Sequence, residues 1–185
     1  MKLNLGCGLN GKEGWHNVDA HAACKPDQVV NLETLPWPWP DNSATEVLFN
    51  HSLEHMGQAP EVFLGIMREL WRVCAPGALV GINVPDPRHD NFIGDPTHVR
   101  RITVETLHLF SQRFNRHCAE VGAANSPLGL MHGVDFEVES HEQVLDPYWA
   151  ARRDGGEIDD TELARAMRTY NNVVSEHRFM LVAIK

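Results

Sequence analysis

Two glycines one residue apart, Gly6 and Gly8, follow a short apolar run carrying Leu3 and Leu5. Eleven residues after Gly8 stands Asp19, closing a second short run, Trp15-His-Asn-Val18. Glycine has no Cβ, so a turn built on it tolerates positive φ and lets a ligand lie against the main chain. A carboxylate at the tip of the next strand accepts hydrogen bonds from ribose hydroxyls. Together these residues predict a nucleoside held across two strand tips.

A second set of residue types points to metal chemistry. His51 with His55, and Asp86, His89 and Asp95 with His98, are all groups that ligate transition metals. His51 and His55 fall at a loop-to-helix turn, not within a His-Glu-x-x-His helix, so no metal is expected. The four cysteines, Cys7, Cys24, Cys74 and Cys118, are far apart and form no Cys-x-x-Cys pair. They read as the reduced thiols of a cytoplasmic protein.

These residues need strands and turns to place them. Met1 to Leu5 reads as a first strand buried on both faces. Trp15–Val18 and Gln28–Leu32 follow as the second and third. Few residues separate Gly8 from the second strand, room for about one helical turn. A parallel crossover normally takes a dozen residues or more. Leu35 to Ser43 holds three prolines and two tryptophans, which forbids helix or central strand. It reads as a stiff connector whose tryptophans cover the sheet edge, or as a polyproline-type recognition segment.

Thr45 to Asn50 is a fourth strand running into His51-Ser-Leu-Glu-His55. Pro60 to Cys74 is the clearest helix, with Phe63, Met67, Leu70 and Cys74 at helical spacing and Pro76-Gly77 to end it. Ala78 to Val84 is a fifth strand, and Asp86 to Arg101 a long polar loop of the kind that carries function. Thr103 caps a helix presenting Leu107, Phe110 and Phe114 on one face. Val134–Val138 and Glu176–Lys185 are the last two strands. Between them, residues 142–174 hold a turn at Asp154-Gly-Gly-Glu and a helix from Asp160 with Leu163, Met167 and Tyr170 on one side. This segment could lid a site, pack on the sheet edge, or join two copies of the chain as a homodimer.

The 185 residues fit one α/β domain, numbered 1–185, with 142–174 inserted between its last strands. A net charge of −9 disfavours a nucleic-acid or anionic-membrane surface. No apolar run approaches a membrane span, and no signal-peptide core opens the chain.

In this light Leu5-Gly-Cys-Gly8, Val18-Asp19, Leu35-Pro with Pro40-Asp-Asn-Ser43, His51-Ser-Leu-Glu-His55 and Arg68-Glu-Leu-Trp-Arg-Val-Cys-Ala-Pro-Gly77 resemble the class I S-adenosylmethionine-dependent methyltransferases, the small Leu-Gly-Cys-Gly group in particular. The resemblance covers residues 1–115 well and does not reach 142–174. It implies a Rossmann-like α/β sheet of about seven strands, the last antiparallel, with an abbreviated first crossover. It implies that Gly6 and Gly8 admit the methionine part of the cofactor and that Asp19 holds the ribose. Asn31 and Leu32 fall where adenine is contacted, with Asn31 in place of the family's usual Asp. His51 would lie under the cofactor, and Asn4, Cys7 and Asn50 complete the implied cofactor set.

Methyl transfer from a sulfonium is an in-line displacement, so the protein chiefly aligns the reactants and excludes water. A hydroxyl or amine acceptor is helped by a base, for which His51, His98 and Asp95 stand at or beyond strand carboxyl ends. The expected activity is S-adenosylmethionine-dependent methyl transfer to a small-molecule or sugar-like acceptor. One alternative is a protein that binds the cofactor without turnover. The other is an NAD-dependent oxidoreductase, which wants Gly-x-Gly-x-x-Gly opening a long helix. The acceptor pocket is expected from Asp86–Arg101 and Glu142–Val174.

Overall fold

The computed structural model describes residues 1–185. Seven strands form one sheet in the order β3-β2-β1-β4-β5-β7-β6. They are β1 (Lys2–Leu5), β2 (His16–Asp19), β3 (Gln28–Val29), β4 (Ala44–Asn50), β5 (Cys74–Pro85), β6 (Phe136–Leu145) and β7 (Val174–Ala183). Strands β1 to β5 run parallel. Strand β7 is antiparallel to both β5 and β6. This is the expected seven-stranded sheet with its last strand reversed.

The first three crossovers contain no α-helix. The chain between β1 and β2 runs through turns alone, which resolves the shortage of residues there. The third strand is shorter than expected, Gln28–Val29 rather than Gln28–Leu32, because Val30 leaves the ladder after donating to the Asp19 carbonyl. The connector 35–43 tucks its tryptophans inward. Trp37 and Trp39 are buried, and Trp39 Nε1 donates to Gln28 Oε1 on the edge strand at 3.2 Å. Arg72 and Glu69 lock the connector in place. Arg72 donates to the carbonyls of Trp39 and Trp37 at 2.9 and 3.1 Å, and the Trp37 N–H donates to Glu69 at 2.6 Å.

Helix α1 (Pro60–Val73) packs Phe63, Ile66, Met67 and Leu70 into the main core against Leu3, Leu5, Val47, Phe49, Val80 and Ile82. It passes directly into β5, which begins at Cys74 rather than Ala78, so Pro76-Gly77 lies within the strand's irregular start. Burial on both faces of β1 holds from Leu3 to Leu5, while Lys2 is exposed.

Between β5 and β6 come α2 (Asp90–Ile93), α3 (Val104–His108), α4 (Gln112–Val121) and α5 (Leu128–His132). The single helix expected after Thr103 is two. Thr103 does cap α3, but the buried Ser111 accepts from the Phe114 N–H at 2.9 Å and starts a new helix. A serine satisfied by the backbone in this way favours a cap over a helix interior. The break turns Phe110 into the core and leaves Phe114 half-buried.

Strand β6 continues to Leu145, so the start of segment 142–174 belongs to the sheet. The rest holds α6 (Pro147–Asp154) and α7 (Asp160–Thr169), the latter opened by an Asp159/Glu162 capping box. Ile158, Leu163, Ala166 and Val173 form a second, small core there. Tyr170, expected on the packed side, is exposed.

Candidate functional site

The carboxyl ends of β1, β2 and β4 enclose a cleft of about 540 Å³. Its first wall is the glycine turn. Gly6 has φ +69°, and a Cβ there would lie 2.4 Å from the Cβ of Ser52, so only glycine fits. The N–H groups of Gly6 and Cys7 donate to the Val18 carbonyl at 2.8 and 2.9 Å, tying the turn to β2. Ser52 Oγ donates to the Leu5 carbonyl at 2.8 Å and ties it to β4. Gly8 has φ +51° and no atom within 4 Å of where a Cβ would stand, so its backbone faces open space.

Asp19 ends β2 almost fully buried. Its Oδ2 accepts from the Gly8 N–H and its Oδ1 from the His21 N–H, each at 2.8 Å. The carboxylate is thus aimed by two backbone groups, and each oxygen keeps a lone pair for a ligand. Side-chain amides do what a crossover helix would otherwise do. Asn17 Oδ1 accepts from Asn4 Nδ2 at 2.9 Å and from the Lys12 N–H at 2.7 Å. Asn17 Nδ2 donates to the carbonyls of Lys12 and Trp15, and to Asp27 at 3.1 Å. The Asn17 N–H also donates to Asp27, and that bond holds the Asp27 carboxyl below its ordinary range.

The opposite wall is the turn after β4. His51 has φ +52°, a left-handed conformation in which histidine is less disfavoured than most residues. The turn sets His51 Nε2 2.6 Å from Glu176 on β7 and Nδ1 3.7 Å from Glu54. Glu54 first, and Glu176 after it, raise the proton affinity of this imidazole, while burial opposes them. The third wall is the chain after β3. Asn31 Oδ1 accepts from the Glu33 N–H at 2.9 Å, and Glu33 accepts from the Gly57 N–H at 2.6 Å.

Gly6, Gly8, Asp19, Asn31, Leu32 and His51 therefore line one cleft. Asn4, Cys7 and Asn50 do not. They line a separate hollow of about 310 Å³ with Asn10, Gly11, Lys12 and Leu48. The three candidate bases part company as well. His98 has a buried side chain behind His55, and its Nδ1 donates to the Phe92 carbonyl at 3.0 Å. Asp95 lies outside the cleft, and hydrogen bonds from the Thr97 hydroxyl and backbone hold its carboxyl below the usual range. Only His51 of the three faces the cleft. Of the expected acceptor pocket, the loop 86–101 contributes Thr97 and the segment 142–174 contributes nothing.

Sequence reading missed His21, Glu33, Ser52, Met56 and Thr97, which also line the cleft. Ser52 had a signal, because it stands two residues past the β4 tip where the sheet's ligand edge lies. The others lie on loops that converge only in three dimensions. Residues 6–15 form no helix, so the requirement of a dinucleotide fingerprint is not met.

An open sheet in this strand order, with a reversed β7 and a glycine-and-carboxylate cleft at its carboxyl edge, defines the class I methyltransferase fold. Solved structures agree. A SAM-dependent methyltransferase from Archaeoglobus fulgidus matches 98% of this chain and 85% of its own at TM-score 0.63 and 17% identity. The YcgJ protein from Bacillus subtilis matches 100% and 91% at TM-score 0.56 and 15% identity. The [4+2]-cyclase SpnF matches 99% and 75% at TM-score 0.56 and 16% identity. No protein-family model and no curated protein matches the sequence. At these identities the fold is what is shared. No helix is long and apolar enough to cross a membrane.

Proposed function

We propose that this chain binds S-adenosylmethionine in the strand-tip cleft and transfers its methyl group to a small-molecule acceptor. The observation that carries the reading is Asp19, held by two backbone N–H groups and facing a glycine turn whose second glycine borders open space. The cleft falls within the roughly 300–1,000 Å³ typical of small-ligand sites. SAM-dependent methyltransferases among the structural neighbours support the choice of cofactor.

When bound, the cofactor supplies an electrophilic methyl on a sulfonium. This chain's residues hold and align it. Asp19 accepts from the ribose hydroxyls, and Leu32 and Asn31 border the base. His51 takes the proton released when an acceptor hydroxyl or amine is methylated. Its place in the cleft and its two carboxylate neighbours suit that role.

The test is calorimetric titration with S-adenosylhomocysteine. Asp19→Ala removes an ionised acceptor worth about 1.5–3 kcal/mol per hydrogen bond. Binding should weaken by about 100-fold or more while the protein still melts cooperatively. Unchanged affinity in this variant rejects the assignment. Release of S-adenosylhomocysteine with candidate acceptors then measures turnover. SpnF, a cyclase on this fold, shows why binding and turnover are measured separately.

A further inference from the structure

We propose that Glu54, His55 and His98 form a binding site for a divalent transition-metal cation beside the cleft. Their candidate ligand atoms all lie within 4.8 Å of one another. Glu54 supplies the independent reason to look here. It is 1% exposed, and neither carboxylate oxygen has a hydrogen-bond donor. The nearest charged partner is His51 Nδ1 at 3.7 Å, too far for a hydrogen bond. A buried carboxylate left in that state is costly unless a cation satisfies it.

The two histidines are set to complete the site. His98 Nδ1 lies 3.0 Å from the Phe92 carbonyl, which only accepts, so Nδ1 carries the proton and Nε2 keeps its lone pair. His55 Nδ1 lies 2.9 Å from Thr97 Oγ1. That hydroxyl spends its hydrogen on Asp95 Oδ1 at 2.6 Å, so it must accept from His55 Nδ1. His55 therefore also presents a bare Nε2. One ring nitrogen tied to an acceptor and the other free is the usual arrangement of metal-bound histidine. Asp95, fixed in turn by the Thr97 N–H, anchors the chain of bonds behind His55.

Two imidazoles and one carboxylate suit zinc, iron(II), cobalt or manganese better than magnesium or calcium. Ligands about 2.0–2.2 Å from one tetrahedral ion stand roughly 3.3 Å apart. The three groups must draw together slightly, and His55 is the exposed member of the set. Three protein ligands leave further positions open. His55 and Thr97 line the cleft, so those positions lie beside it. Resting on the proposed methyl transfer, an oxygen of the acceptor would bind there, which points to hydroxyl- or carboxylate-bearing acceptors.

The experiment uses the full chain, stripped with a chelator and titrated with cobalt(II), read by visible absorption and by equilibrium dialysis. One equivalent is expected to bind. Both His98→Ala and His55→Ala should weaken it by about 100-fold or more. Thermal melting confirms that each variant is folded, and exposed His55 provides the test should His98→Ala fail to fold. Less than one equivalent on the unmodified chain, or undiminished binding in folded His55→Ala, overturns the site. The two readings fail separately. Asp19→Ala should lose S-adenosylhomocysteine and keep cobalt, and His98→Ala the reverse. Cobalt bound by a chain that never binds S-adenosylhomocysteine leaves the metal site standing and removes the methyltransferase reading.

Discussion

The two flanks of the sheet reach the same strand-tip edge by different means. On the β1–β3 side no α-helix connects the strands, and Asn4 and Asn17 within β1 and β2, with Asp27 before β3, tie the strands and the loop between them together through side-chain bonds. On the β5–β7 side four helices and two more beyond them fill the connections, and the tips are joined by acidic, imidazole and guanidinium side chains. Asp86 bonds His177 at 2.7 Å, and His177 bonds His141 at 2.8 Å. Arg88 donates to the carbonyls of Met167 and Tyr170, each at 2.7 Å. The contrast teaches that a strand-tip cleft of this kind needs fixed strands and not the helices that usually fix them. It also predicts that the thin flank should be sensitive to single polar side chains and the thick flank tolerant.

The largest effect should come from Gly6→Ala. Left-handed φ costs a residue with a Cβ about 1–2 kcal/mol, and forcing that Cβ against Ser52 adds about 1–3 kcal/mol. A loss of roughly 2–5 kcal/mol in urea unfolding is expected. A variant within about 0.5 kcal/mol of the parent would mean that the turn re-forms freely and that the thin flank is not tightly specified.

Asn17→Ala comes next. It removes the acceptor for Asn4 and Lys12 and the donors to Lys12, Trp15 and Asp27, leaving the buried Asn4 amide short of a partner. A cost of about 1–3 kcal/mol follows from such an orphaned group. Because Asn17 precedes Val18, which holds the glycine turn, S-adenosylhomocysteine affinity should fall with stability. Loss of stability with affinity intact would show that Asp19 is positioned without the amide network.

On the other flank, Arg88→Ala should speed amide exchange in 160–169 while exchange in β1 and β4 and ligand affinity stay unchanged. Arg88 bonds the end of α7, and no residue of 142–174 lines the cleft. A drop in affinity would break the division between flanks.

How much of this could be read from the sequence follows the same division. Gly6, Gly8 and Asp19 form a local pattern, with strand, turn and carboxylate close along the chain, and the cleft assembles where that pattern indicated. The seven-stranded sheet and its reversed last strand came through the resemblance, while the order of the strands was not read beforehand. The helix break at Ser111 was hidden because Leu107, Phe110 and Phe114 keep helical spacing across it. Their periodicity survives, yet the cap chemistry of one serine overrides it. The grouping of the histidines was hidden for a related reason. His51 and His55 are near neighbours in sequence, but the left-handed turn sends His51 towards Glu176 and leaves His55 against His98. Ligand sets drawn from separate loops leave no spacing to read.

The smallest effect sets the thick flank against pH. Burial first, and the neighbouring His177 after it, hold the His141 imidazole below its ordinary range; Glu105 on α3 opposes this and His108 adds to it. Well above pH 6.5 neither the folded nor the unfolded imidazole is protonated, and the group adds no pH dependence. As pH falls below that value the unfolded chain takes up a proton that the folded chain resists, so stability is lost. Asp86 is also held low, against burial, by its bond from His177, but its contribution is lost only as pH falls through the carboxylate range. Between pH 7.5 and 5.5 the melting temperature of the parent should therefore fall more steeply than that of His141→Ala. The variant starts lower, having lost the stack on Phe179 at 4.5 Å, so the slope and not the level is the reading. Parallel slopes would place the pH sensitivity elsewhere, and a shallower parent would reverse the sign of the argument.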